Sequence, residues 1–187
     1  MSNLVWHVDD LQYGIPVEYQ GAELPASLRQ ILGNEQQTVA MVGAPGTGKT
    51  RNLWAMLYHA RKARFKSLIG EPRTEPMVHG ITSRDRVRII TEAGNIRAYR
   101  YDRAWLTDQC DWPHWLAIDD IGCIEPNEWV REAVYHLANE RRAHNRRTIW
   151  TSNLDPDGLR SAFGGAIASR ILGGVVVEVE GRDRRMG

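Results

Sequence analysis

Gly43-Ala44-Pro45-Gly46-Thr47-Gly48-Lys49-Thr50, entered from the apolar run Thr38-Val39-Ala40-Met41-Val42, decides how the rest of this chain is read. The apolar run has the composition of a buried parallel strand. The glycines that follow let the backbone curl until successive N–H groups point inward at a β-phosphate. Lys49 is then placed to bridge β- and γ-phosphates, and the Thr50 hydroxyl to complete a magnesium shell. Leu53, Trp54, Leu57, Tyr58 and Arg61 keep helical spacing behind the loop, so the order is strand, loop, helix. The residues expected to bind a nucleoside triphosphate are Gly43, Ala44, Pro45, Gly46, Thr47, Gly48, Lys49, Thr50 and Arg51.

Further along, Trp115-Leu116-Ala117-Ile118 is a second apolar run, and it ends in Asp119-Asp120. Two carboxylates at the C-terminal end of a buried strand lie at the edge where open parallel sheets bind ligands. Asp119 suits a magnesium ligand beside Thr50. Asp120 suits the residue that orients an attacking water or accepts its proton. The same pair would also serve to cap the following loop. Thr148-Ile149-Trp150-Thr151 predicts the next strand, with Asn153 at its end as a neutral donor toward the γ-phosphate or the water; an Asx turn over Asn153-Leu154-Asp155-Pro156 accounts for the same residues. Arg170, on a helix expected over Ala166–Leu172, is predicted to project outward from an apolar-anchored backbone, within reach of a neighbour's nucleotide.

The remaining elements are plainer. Residues 2–37 form a mixed lead-in punctuated at Gly14-Ile15-Pro16 and Leu24-Pro25, expected to pack near the nucleotide. Residues 66–86 read as an extended loop. Val87–Thr91 alternates as a strand, Glu92–Trp105 is expected to be helical, and Val175–Val179 to be the last strand. Pro126-Asn127-Glu128 opens a helix with Trp129, Val130, Ala133, Val134 and Leu137 inward and Arg131, Glu132, Glu140 and Arg141 outward.

With 187 residues and a net charge of +1, the composition fits one α/β domain and is not that of a polycation. Nearly all the basic residues are arginines, lysine standing only at Lys49, Lys62 and Lys66. Cys110 and Cys123 lack metal-ligand spacing and read as reduced thiols serving as small buried apolar residues. The scattered histidines predict no metal site of their own. No apolar stretch nears the roughly 18 residues of a membrane span, and residues 1–10 have no basic-then-apolar leader, so a cytoplasmic protein is expected. Arg84, Arg86, Arg88, Arg97, Arg100 and Arg103, interleaved with Tyr99, Tyr101 and Trp105, offer phosphate contacts and stacking faces for a single strand, or equally a subunit interface.

Taken in order, GAPGTGKT, WLAIDDIG, TIWTSNL, AIASRIL and the closing EGRDRR resemble the AAA+ ATPases of the bacterial DnaC/DnaI-type helicase loaders and the related IstB-type transposition ATPases. The resemblance covers residues 13–185, and the TSNL and SRIL pieces are its more specific parts. It implies an α/β P-loop NTPase fold: three α-β-α layers, a mainly parallel central sheet, and AAA+ type without a separate C-terminal lid domain. The lead-in would be residues 1–37 and the ATPase domain residues 38–187. It also implies ATP and Mg2+ as ligands, Lys49 and Thr50 as Walker A, Asp119 and Asp120 as Walker B, Asn153 as sensor 1, Arg170 as an arginine finger in trans, and Arg185 as sensor 2; a solvated C-terminal charge run explains Arg185 as well.

The function implied is an oligomeric ATPase, weak unless assembled, that binds single-stranded DNA and loads or remodels a replicative helicase. A transposase partner is the near alternative. A small-molecule kinase and a non-catalytic ATP-locked adaptor are the alternatives of other classes. Helicase loaders of this type usually carry a separate N-terminal gripping domain, whereas only about a dozen residues are expected to precede the segment that carries the resemblance here. Together with the long gap between loop and acids, this fits a compact viral or mobile-element version.

Overall fold

The computed structural model describes residues 15–33, 38–56, 58–59, 87–97, 99, 101–112 and 115–181. Five strands form one sheet: β1 (Thr38–Val42), β2 (Val87–Thr91), β3 (Trp115–Ile121), β4 (Thr148–Ser152) and β5 (Val175–Glu178), in the order β2-β3-β4-β1-β5. Every pairing is parallel. All C-terminal strand ends therefore share one edge, and the loops carrying the phosphate glycines, the acids and Asn153 emerge side by side. The chain leaves β1 toward one edge and returns past it to β5, and that reversal is where such sheets open a ligand crevice.

Strand alternation builds the layers. Val39, Met41, Trp115, Ala117 and Ile149 point to one face and pack with Leu28 and Ile31 of α1 (Ala26–Gly33) and with Leu53, Ala55 and Met56 of α2, helical at 49–56 and 58–59. Ala40, Val42, Leu116, Ile118 and Trp150 point to the other face. They pack with α3 (Arg103–Asp111), α4 (Glu128–Ala143), α5 (Pro156–Phe163) and α6 (Gly165–Ile171). The result is the expected three-layer architecture. The lead-in joins the first core through Ala22 and Leu24, and Tyr19 stacks on Trp54 with ring centroids 6.2 Å apart.

Several local expectations are corrected. Residues 92–105 are not one helix: Glu92–Ile96 is a π-helical turn, and α3 begins only after Asp102, whose carboxylate accepts from Trp105 N. Tyr101 interrupts the helix with φ +65°. Arg141 faces inward at 1% exposure, where it donates to Thr148 Oγ1 and to the carbonyls of Gln109, Cys110, Trp112 and Arg147, joining α3 to the start of β4. Both thiols are free, and Cys110 is buried as expected, but Cys123 is exposed. α5 was not anticipated; Asp155 caps it through Gly158 N and Pro156 sits in its first turn, both ordinary helix-start signals. Among the described residues no helix is long and apolar enough to cross a membrane. Residues 66–86, with Arg84 and Arg86, and likewise Arg100 and Arg185, lie outside the described residues.

Candidate nucleotide site

The phosphate loop leaves β1 through three glycines in left-handed or related conformations, Gly43 (φ +147°), Gly46 (φ +77°) and Gly48 (φ +100°). A Cβ on Gly43 would run into the Val179 carbonyl, so this glycine serves close packing as well as curvature. Val179 N donates to Val42 O at 2.8 Å and ties the exit of β5 to the mouth of the loop. Lys49 is 5% exposed, and its Nζ donates to the carbonyls of Gly43 and Ala44, both at 2.7 Å. Its charge is thereby fixed over the loop. Beside it a cleft of about 450 Å3 opens between Gly43, Ala44 and Thr47, the start of α5 at Asp155 and Pro156, and the β5 exit from Glu178 to Gly181. Arg51 is half-buried in α2, one residue past Thr50.

The acids are brought to the loop by an irregularity in β3. Ile118 pairs with Trp150 and Ile121 with Ser152, so Asp119 and Asp120 together oppose the single residue Thr151. This is a β-bulge. Asp120 takes φ +62°, a left-handed conformation that aspartate tolerates better than most residues. Thr151 closes the bulge: its Oγ1 accepts from Asp120 N at 2.8 Å and donates to Asp119 Oδ1 at 2.5 Å. The Thr50 hydroxyl stands 3.3 and 3.2 Å from the two Asp119 oxygens, across 69 residues of sequence. Asn153 Nδ2 donates to Asp120 Oδ1 at 2.7 Å.

A continuous polar path therefore runs Thr50, Asp119, Thr151, Asp120, Asn153. Neither local alternative describes it: the acids cap no loop through Asp119, and the Asn153 side chain is turned to Asp120. The turn there belongs instead to Ser152, whose Oγ accepts from Leu154 N, and to Asp155.

Burial pushes the Asp119 carboxyl above its ordinary range, and the Asp120 charge adds to this; hydrogen bonds from Thr151 and Thr50 and the charge of Lys49 pull against it. A carboxylate held charged against desolvation is a strong ligand for a cation. Thr50 and Asp119 together present hydroxyl and carboxylate oxygens of the kind Mg2+ takes, in a set too small to enclose an ion without phosphate oxygens. Among the described residues there is no group of three or more His, Cys, Asp or Glu placed to hold a metal ion.

Two members of the site were not anticipated from the sequence. Thr151 was read only as a strand residue, although its polar side chain in an otherwise apolar run was a signal. Glu92 is fully buried; it accepts from Gly122 N at 2.6 Å and pairs with Arg97 at 2.7 Å, fixing the turn that follows the acids. Arg97 also donates to the Ile124 and Glu125 carbonyls. Arg103 pairs with Glu132 at 2.7 Å and lies over the Trp129 ring. Of the expected basic stacking patch, the two described guanidiniums, Arg97 and Arg103, are each paired with a carboxylate, and the other arginine side chains lie outside the described residues. Tyr99 stacks on Trp105 at 4.9 Å, and Tyr101, at 63% exposure, leans on Trp129.

Arg170 stands apart from the loop and the acids, on α6 against α4. Its Nε donates to Asn139 Oδ1 at 3.2 Å and its Nη1 to the Ala166 carbonyl at 2.7 Å. The guanidinium lies over the Tyr135 ring, 4.9 Å from its centroid. It is half-buried and docked on α4 of the same chain, where outward projection of the guanidinium was expected.

The fold, a five-stranded all-parallel sheet between helical layers with a glycine loop after β1, is the α/β fold of AAA+ P-loop domains. The chain resembles the DnaC helicase loader (18% identity, TM-score 0.66, covering 88% of this chain and all of that one) and DnaI (18%, 0.66, 92% and 95%). It also resembles the replication initiator DnaA bound to AMPPCP and single-stranded DNA (20%, 0.60, 83% and 44%). The chain spans less than half of the DnaA chain and nearly the whole of the two others. No protein-family model matches the sequence, and neither does any curated protein.

Proposed function

We propose that this chain is an ATP-hydrolysing AAA+ protein of DNA replication, acting as an oligomer on single-stranded DNA to load or remodel a replicative helicase. One observation supports it above the others: the hydrogen-bonded path from Thr50 through Asp119, Thr151 and Asp120 to Asn153, set beside a phosphate loop. These are the parts that phosphoryl transfer to water requires. The likeness in fold to a helicase loader and to an initiator carrying a nucleotide analogue and single-stranded DNA supports the replication setting.

In this reading the loop N–H groups and Lys49 hold the β- and γ-phosphates. Mg2+, held by Thr50 and Asp119, would neutralise charge developing on the phosphate oxygens. Asp120 orients the attacking water and takes its proton, and Asn153 steadies Asp120 while offering its amide to the γ-phosphate. Arg170 reaches the γ-phosphate of a neighbouring copy, so hydrolysis depends on assembly; head-to-tail contacts of that kind close into rings or run on as spirals. Arg185 as sensor 2 and the division at residue 37 belong to the same proposal.

The test is ATPase rate against protein concentration, with and without single-stranded DNA. A rate that rises with both supports the proposal, and a flat, DNA-indifferent rate replaces it with a kinase or an adaptor. Arg170→Ala should keep ATP binding while cutting assembled turnover by about 10²-fold, less than the roughly 10³ to 10⁵ that an arginine supplied from outside contributes in GTPases.

A further inference from the structure

Arg170 is held by more than its own helix. Tyr135 and Asn139 are four residues apart on α4, so their side chains lie one above the other on the same face. The Tyr135 ring carries the flat of the guanidinium, and Asn139 Oδ1 accepts from Nε. The other end of the Asn139 amide donates to Glu140 Oε1 at 3.1 Å, which fixes Oδ1 toward the arginine. With the Ala166 carbonyl on Nη1, one face and one edge of the fork are engaged. Nη2 makes no hydrogen bond among the described residues.

An arginine whose only task was to join α6 to α4 would gain most by turning its bidentate edge, Nη1 with Nη2, onto an internal acceptor. Here the internal acceptors take Nε and one Nη1 proton, and the Nη2 end stays available. The ring beneath it is itself 36% exposed, a large aromatic left at the surface that the core does not require. Stacking on a ring costs the guanidinium little hydration and restricts its rotation, which leaves it preorganised for an anion.

We infer that Tyr135 and Asn139 are positioning residues for Arg170, presetting its guanidinium on α4 with Nη2 outward for the phosphoryl group of a nucleotide bound to a second copy of this chain. The inference rests on the reading of Arg170 as acting in trans. Both residues act through Arg170 and neither touches the nucleotide. Preorganisation of this kind lowers the cost of ordering a long side chain as the charge develops. It therefore appears in turnover, and the affinity for ATP within the subunit is unaffected.

The experiment is steady-state ATPase of the full chain at assembling concentration, with kcat and the KM for ATP determined separately. Tyr135→Leu and Asn139→Leu should each lower kcat about five- to tenfold, the scale of one cation–π contact or one hydrogen bond to a charged group. KM for ATP should not change, because neither side chain touches the nucleotide of its own chain; Tyr135 is exposed and Asn139 half-buried, so the thermal midpoint should fall only slightly. Tyr135→Phe keeps the ring face and should restore the wild-type rate. In the Arg170→Ala background neither leucine variant should slow turnover further. Wild-type kcat in both leucine variants alongside a slow Arg170→Ala overturns the positioning role while leaving the trans arginine standing. So does a penalty that persists without Arg170. Full activity of Arg170→Ala overturns the trans reading itself.

Discussion

The two halves of the candidate nucleotide site, the glycine loop and the acids, are built by opposite means. On the loop side, consecutive residues do the work: glycine torsions set the curve, and Lys49 is held by carbonyls of the same loop. On the acid side almost every contact joins distant segments, Thr50 to Asp119 and Thr151 to Asp119 and Asp120. The loop is a local structure that tolerates change elsewhere. The acid side exists only while β3 and β4 keep their bulged register, so one hydroxyl can misplace two carboxylates.

The largest effect expected on that contrast comes from Gly43→Ala. Its Cβ would meet the Val179 backbone at φ +147°, and a backbone neighbour cannot swing aside. ATP binding and turnover should fall together, with a loss of stability of about 1–3 kcal/mol. Nucleotide titration and thermal unfolding measure this, and a variant that binds ATP normally would show the loop to be less rigid than its packing implies.

Thr151→Val should produce the opposite pattern. It removes the acceptor of Asp120 N and the donor to Asp119, costing about 1–3 kcal/mol for the buried groups left behind. Turnover should drop about 10- to 100-fold through misplacement of Asp120, with ATP affinity nearly kept. Equal losses in binding and turnover would erase the distinction between the two sides.

A smaller effect concerns pH. Because the folded protein raises the Asp119 pKa above its ordinary 3.8, the folded state binds this proton more readily than the unfolded chain, and the ionised carboxylate costs stability at neutral pH. Asp119→Asn should therefore raise the thermal midpoint at pH 7 while abolishing hydrolysis. The gain should shrink as pH falls through the raised value and vanish below 3.8. A midpoint gain that persists in acid would point to packing instead of charge.

The smallest effect is a labelling order. Cys110 is buried and its thiol is pushed up to about 11 by burial first and by Glu140 next, whereas Cys123 is exposed on the turn after the acids. Thiol reagents should modify Cys123 in the native protein and Cys110 only on unfolding. Native labelling of Cys110 would mean that α3 opens readily.

Much of this was legible in the chain because the signals were local or periodic. GAPGTGKT specifies its own curve, and the apolar runs of β1 and β3 mark strands buried on both faces, while the three layers were implied by the family resemblance. The helix opened by Asn127 and the placement of Asp119 and Asn153 at one edge follow from strand direction. The 92–105 segment was misread because Tyr101 at φ +65° and the cap at Asp102 outweigh a helical spacing. Arg141 was placed outside because charge is a surface signal, and only the converging carbonyls of α3 and Arg147 make its burial favourable.

The sequence by itself determined the phosphate loop, the parallel sheet and the residue types at its edge, since each depends on torsional preference or on hydrophobic period. Only the tertiary structure decided that Asp119 and Asp120 join one hydrogen-bonded path with Thr50 and Asn153. In an unbroken strand, neighbours point to opposite faces, and it takes Thr151, 31 residues away from Asp120, to hold the bulge that brings them together. It alone decided, too, that Arg170 rests on Tyr135 and Asn139, because the packing of α6 against α4 is fixed by the whole core and not by either helix.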